Sequence, residues 1–299
     1  MTTAPVWDPG EKTHRDENFP VASHLVSKRH RPAVLAFYRF ARAADDVADD
    51  PGLSESEKIR KLDQFEETLL GKSESIEEAL PLRAAIAERG LTPKHGQDLL
   101  TAFRMDASKR RYEDWNGLIH YCSYSAMPVG RFVLDVHGES HSTWPANDAL
   151  CAALQIINHL QDCGADYRRL DRVYLPLDAL AAHNVPIEAL AAPAASPDLA
   201  ACIHELAAKT QALLGAAYLS RVIKDLRLSL EVAAIERLAR KLVRMLLSRD
   251  PLSQPVHLSK SEFASILISA ACVNLGRRLF APRATGAAVL RGIDDHPSH

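Results

Sequence analysis

Two clusters of aspartate, Asp45-Asp46-Val47-Ala48-Asp49-Asp50 and Asp162-Cys163-Gly164-Ala165-Asp166, fall inside stretches that otherwise carry the periodicity of helix. Asp45 and Asp49 stand four residues apart, as do Asp46 and Asp50, and Asp162 and Asp166. On a helix that spacing stacks the carboxylates one turn apart on a shared face. Like charges so placed weaken a helix by roughly 0.2–0.5 kcal/mol per pair, and aspartate is a poor residue for a helix interior. A chain that keeps two such clusters calls for a counter-charge. Hard divalent cations take oxygen ligands, and Mg2+ bridging carboxylates to a diphosphate meets the need best. The plain alternative is a pair of solvated acidic faces; two clusters in one chain favour the cation.

Alternating β-branched runs are nearly absent, and Gly and Pro mostly mark breaks between helical segments. A helix from about Pro32 to Asp50 begins with Pro in its early turn. Ser54-x-x-Glu57 is a capping box for the next helix, and Ser259-x-x-Glu262 resembles another. Gly90-Leu91-Thr92-Pro93 reads as a stop followed by a fresh start. The spacing predicts a long helix over Asp114 to Val136, kinked or broken at Pro128, and another over about Asn147 to Leu170. Pro186, Pro193 and Pro197 mark a loop-rich passage, after which helices are expected at Leu199–Leu214 and Leu219–Leu247. No interdomain linker stands out. The expectation is an all-α, single-domain fold over residues 17–280, with a flexible segment at 1–16 and a frayed tail at 281–299.

The formal net charge of −2 gives no global reason to expect nucleic acid, so a basic site must be local. Five cysteines, with no C-x-x-C pair, suit reduced thiols in the cytoplasm. The polar N-terminus lacks the apolar core of a signal peptide. Phe263 to Leu275 is too short and too interrupted to span a bilayer, though a peripheral contact at the inner face of the plasma membrane stays open.

Several side chains accompany the acidic clusters. Arg42 lies three before Asp45 and suits bidentate phosphate binding; an ion pair within its own helix is an equal alternative. Asn158, Asp162 and Asp166 stand at i, i+4 and i+8, one stripe of three oxygen ligands, against a capping and hydrogen-bonding stripe as the plain reading. Tyr121 and Tyr124 share a helical face, where they either stabilise a cation or pack into the core. Lys109-Arg110-Arg111 reads as a solvated basic turn.

Taken in order, Asn18-Phe19-Pro20-Val21-Ala22-Ser23, Tyr38-x-x-x-Arg42-x-x-Asp45-Asp46-x-x-Asp49, Tyr121-Cys122-x-Tyr124-x-Ala126-x-x-Val129-Gly130, Gln155-x-x-Asn158-x-x-x-Asp162-x-x-x-Asp166 and Arg172-x-Tyr174-Leu175-Pro176 resemble the squalene/phytoene synthase family over roughly Asn18 to Leu275. The resemblance implies the class I isoprenoid synthase fold, a helical bundle around a deep central cavity. It also implies several Mg2+ ions held with diphosphate by Asp45, Asp49, Asn158, Asp162 and Asp166, and diphosphate contacts from Arg42 and Arg172. Tyr38 and Tyr121 match tyrosines near the reacting centre, and Phe19, Tyr124 and Gln161 join the substrate-binding set. Asp45, Asp49, Asp162 and Asp166 thereby count as catalytic with the two tyrosines.

Within the family the wording is similar to the hydroxysqualene synthase branch of bacterial hopanoid biosynthesis. Gln161 stands where squalene and phytoene synthases commonly carry Arg, which removes a cation and suits a partner step from a preformed intermediate. The resemblance implies presqualene diphosphate and water as substrates, hydroxysqualene as product, and no NADPH. Enzymes upstream and downstream in a squalene pathway are the expected partners. Squalene synthase and phytoene synthase are the alternatives among enzymes, and a catalytically inactive helical assembly factor is the alternative outside them. A ferritin-like site fails because the one Glu-x-x-His, Glu11 to His14, lies in the polar N-terminal segment, and no histidine is followed by Asp as an HD phosphohydrolase needs.

Overall fold

Apolar side chains at Ala33, Phe37, Phe40, Ala44 and Ala48 recur every three or four residues and bury one face of helix α1, Arg31–Asp49. A computed structural model describes the chain at residues 27–259, 261–266, 268–270 and 273. Phe19 with its motif, the 1–16 segment and the 281–299 tail lie outside the described residues. After α1 come α2 (Glu55–Leu69), α3 (Leu80–Arg89), α4 (Lys94–Ser108), α5 (Trp115–Tyr124), α6 (Ala126–Val136) and α7 (Trp144–Leu170). The remainder are α8 (Leu177–Ala182), α9 (Pro197–Ala216), α10 (Leu219–Val222) and α11 (Leu226–Leu246). Among the described residues there is no strand, only one isolated bridge between Arg111 and Val173.

Local signals account for many of the ends. The capping box at α2 forms in both directions, with Glu57 accepting the Ser54 amide at 2.9 Å and Ser54 Oγ accepting the Glu57 amide at 3.4 Å. Ser259 and Glu262 form the second box, with contacts of 3.0 and 3.3 Å. Gly90 closes α3 with φ at +63°, a conformation glycine adopts without strain.

Two expected helices are divided. The break expected at Pro128 falls instead at Ser125, between α5 and α6. Pro128 then sits in the first turn of α6, where its missing N–H is not needed. The helix expected over Leu219–Leu247 stops at Val222 and restarts at Leu226. There Glu139 accepts the amides of Lys224 (2.9 Å) and Asp225 (2.7 Å), and Asp225 caps α11 through the Leu228 amide (2.8 Å).

Two apolar cores meet at α4 and α6. One gathers α1 to α4, with Phe37 stacked on Phe132 at 4.3 Å; the other gathers α5 to α11 around α7. Both draw side chains from α4 and α6, so the described helices form one continuous body. α6 and α7 approach closely at Gly130. A Cβ there would fall on the Asn147 side-chain oxygen and 2.6 Å from Cys151 Sγ. Asn147 is buried and tied to the Met127 carbonyl at 3.2 Å, so it cannot step aside. Gly130→Ala is therefore expected to lose about 1–3 kcal/mol by overpacking, read as a lower Tm and urea midpoint with unchanged m.

Candidate active site

α7 ends at Asp171, whose φ of +51° is left-handed, a cost of roughly 1–2 kcal/mol for most residues and one that Asp tolerates better. The basic turn holds it there. Arg110 reaches the Asp171 carboxylate at 2.9 Å, and Arg111 reaches the same carboxylate at 2.5 Å and the Asp171 carbonyl. Lys109 lies over the Tyr112 ring at 4.8 Å. The solvated turn expected from sequence is thus a clamp on the end of α7. Its result is to aim the next residue, Arg172, inward.

Arg172 is buried, and its guanidinium donates to Asp49 Oδ1 at 2.5 Å, to the Ala48 carbonyl at 3.3 Å and to the Asp106 carbonyl at 3.2 Å. It joins the first acidic motif to the end of α4 and places positive charge where the dipole of α1 favours it. Lys58 adds a second cation on the Ala48 carbonyl, at 2.8 Å.

Asp106, at the last turns of α4, lies under this junction. Its carboxylate accepts the Tyr121 hydroxyl at 2.7 Å and the Tyr174 hydroxyl at 3.1 Å. Burial raises its acid above the usual range, with Arg172 and the two phenols pulling the other way. Burial and the Asp106 carboxylate hold both phenols well above their ordinary range, so they stay protonated. The Tyr174 ring stacks on Tyr112 at 5.7 Å and on the His159 ring at 3.6 Å. His159 Nδ1 stands 3.9 Å from Asp166 Oδ2. A path of hydrogen bonds and a ring stack therefore runs from Asp49 through Arg172, Asp106 and Tyr174 to His159, which lies 3.9 Å from Asp166, so it reaches from one acidic motif to the neighbourhood of the other.

On α1, Tyr38, Arg42, Asp45 and Asp49 recur at helical spacing on one side. Arg42 forms the in-helix ion pair, at 3.1 Å to Asp45 and 2.8 Å to Asp46. Shielding from water and the Asp49 carboxylate push the Asp45 carboxyl up to about 7, although its side chain keeps 37% of its exposure and Arg42 opposes the shift. A carboxyl crowded by others in this way fits a site for a cation, and the all-oxygen donor set fits Mg2+. On α7, Asn158 and Asp166 are half-buried and Asp162 is exposed. Among the described residues no three Asp, Glu, His or Cys side chains form a ready metal site.

Two of the expected substrate contacts have the following surroundings. Gln161 is buried and its amide donates to the Val256 carbonyl in the 251–258 loop. Tyr124 lies edge-on to His120 at 5.1 Å and takes no part in the Asp106 network. Tyr121 is buried within that network, where it donates to Asp106. Asp106, Tyr174 and His159 lie outside the site set expected from sequence. Tyr174 is visible in the Arg-x-Tyr-Leu-Pro run; a lone Asp106 in a helix carries no local signal.

The family model for squalene/phytoene synthase matches residues 12–262. A hydroxysqualene synthase of Rhodopseudomonas palustris is 56% identical over 90% of this chain and 92% of its own length. One of Sinorhizobium fredii is 54% identical, over 89% of this chain and 92% of its own. Among solved structures, a squalene synthase of Alicyclobacillus acidocaldarius superposes with a TM-score of 0.68 at 28% identity, over 76% of this chain and 86% of that one.

Proposed function

The chain belongs to the squalene/phytoene synthase family, and on that premise we propose that it converts presqualene diphosphate and water to hydroxysqualene with release of diphosphate. The observation that carries this reading is the network, buried at Arg172, Asp106 and Tyr174, that brings together half-buried Asp49 and Asp166, one from each acidic motif. The names of the relatives at 56% and 54% identity favour the water-terminated branch over squalene or phytoene synthesis.

Asp45, Asp49, Asn158, Asp162 and Asp166 would hold Mg2+, which when bound supplies charge to stabilise the leaving diphosphate. Arg42, paired among the described residues within its own helix, can turn to phosphate oxygens at the cost of exposed ion pairs of small worth. Arg172 stays anchored at three points and presents fixed positive charge beside Asp49.

The bond from carbon to diphosphate oxygen breaks, and the leaving group departs with the electron pair. The carbocation rearranges, a water oxygen forms the new bond to carbon, and the water proton passes to a diphosphate oxygen. Atoms and charge balance without a hydride, so no NADPH is called for. Protonated Tyr121 and Tyr174 matter here, because a phenolate would trap the cation. Phe19, Tyr124 and Gln161 remain substrate contacts within the proposal, with Tyr38 and Tyr121 near the reacting centre, and the central cavity is part of it. The upstream partner reaction must form the cyclopropyl diphosphate, and the downstream one must consume a C30 alcohol. Among the described residues no helix is long and apolar enough to cross a membrane; cytoplasmic residence is part of the proposal.

The test is a product assay with presqualene diphosphate and Mg2+, with and without NADPH, read by mass spectrometry. Hydroxysqualene in equal yield under both conditions is the expected result. Squalene formed only with NADPH would assign the neighbouring activity, and no diphosphate release would favour a non-catalytic role.

A further inference from the structure

Gln155, His159, Asp162 and Asp166 stand at i, i+4, i+7 and i+11, on one face of α7. The first two each bury a polar atom that has no hydrogen-bond partner among the described residues, Gln155 Oε1 and His159 Nε2. A buried polar atom without a partner is costly, and most such atoms in proteins have one. Two of them one turn apart, beside the second acidic motif, call for a partner they can share.

The neighbours determine what that partner must offer. Gln155 Nε2 donates to Ser125 Oγ at 2.8 Å, at the break between α5 and α6, which holds the amide with its oxygen as the remaining acceptor. His159 Nδ1 stands 3.9 Å from Asp166 Oδ2. A proton on Nδ1 faces that carboxylate and leaves Nε2 as an acceptor too. The His159 ring stacks on Tyr174 at 3.6 Å and lies 6.2 Å from Tyr121, but both phenols spend their protons on Asp106. Two acceptors therefore need a molecule with two donors. Water is the smallest that has them, and it is a reactant in the functional reading.

We propose that Gln155 Oε1 and His159 Nε2 hold the water whose oxygen becomes the hydroxyl of the product. This rests on the functional reading above and adds the groups that make water, rather than loss of a proton, end the reaction. A water that donates both hydrogens keeps its oxygen lone pairs for the carbocation. Attack forms the carbon–oxygen bond and an oxonium, whose surplus proton passes to a diphosphate oxygen. Without the held water the cation instead gives up a proton from a neighbouring carbon to that oxygen and leaves a C30 polyene. Both endings balance in atoms and charge, and neither uses a hydride.

The experiment measures the ratio of alcohol to hydrocarbon formed from presqualene diphosphate and Mg2+, by mass spectrometry. That ratio reports how the cation is quenched, whatever the rate at which it forms, so a merely structural residue would leave it unchanged. His159→Phe keeps an aromatic ring against Tyr174 and removes Nε2, and the ratio should fall about tenfold. Gln155→Met removes the second acceptor at similar side-chain length and should lower the ratio as well, which keeps the test valid should His159→Phe fold poorly. A wild-type ratio in both variants would overturn the proposal and leave the functional reading standing. Absence of hydroxysqualene from the wild-type reaction would overturn the functional reading and the proposal with it.

Discussion

Asp162→Asn is expected to slow diphosphate release by about 10²–10³-fold, the scale of losing one preorganised electrostatic stabiliser, while the fold stays intact. Asp162 is the cleanest of the acidic positions for this test. It is exposed on α7, so an isosteric amide should leave the fold intact. Asp49 is a poorer probe, because Asp49→Asn also breaks the 2.5 Å contact with Arg172 and confounds chemistry with folding. An amide oxygen lacks the charge that a divalent cation seeks, so the variant should also need more Mg2+ to reach half-maximal rate. Near wild-type turnover with an unaltered Mg2+ requirement would remove Asp162 from the metal set. The same measurement separates the enzyme from an inactive assembly factor, because chelation of divalent cations should stop diphosphate release in the wild type.

The helices are legible in the sequence because their causes are local. Ser54 and Glu57 cap α2 within one turn, and the apolar spacing from Ala33 to Ala48 belongs to α1 alone. The acidic pairs are visible for the same reason, since one turn of helix determines which carboxylates share a face. The features that escape a sequence reading depend on residues far apart in the chain. The gap between α10 and α11 is held by Glu139, 85 positions before Lys224. The hydrogen-bond partner of the Gln161 amide is Val256, 95 positions away, and no local pattern signals it. Pro128 signals a break nearby but not its position, because proline disrupts a helix interior and is harmless in the first turn of α6. Asp106 is hidden most completely. Its role comes from Tyr121, Arg172 and Tyr174, which arrive from α5 and from the segment after α7.

That hidden position yields the second large expected effect. Asp106→Asn should lower turnover by about 10–100-fold, the range for groups that orient a residue in contact with substrate, and should cost about 1–3 kcal/mol of stability through weakened buried hydrogen bonds. Asparagine keeps the shape of the side chain and removes its charge. The Tyr121 and Tyr174 hydroxyls then lose a shared ionised acceptor, and Arg172 loses one of the charges that hold it beside Asp49. A purely structural residue would show the stability loss alone. A double-mutant cycle with Tyr121→Phe distinguishes the two. If Asp106 acts through the phenol contact, the paired variant should be less impaired than the sum of the singles, with a coupling of about 0.5–3 kcal/mol. Asp106→Asn with turnover within about twofold of wild type, measured where both proteins are fully folded, would confine Asp106 to folding. The catalytic weight would then rest on Arg172 and the two acidic motifs without it, and the path from Asp49 to Asp166 would be scaffolding.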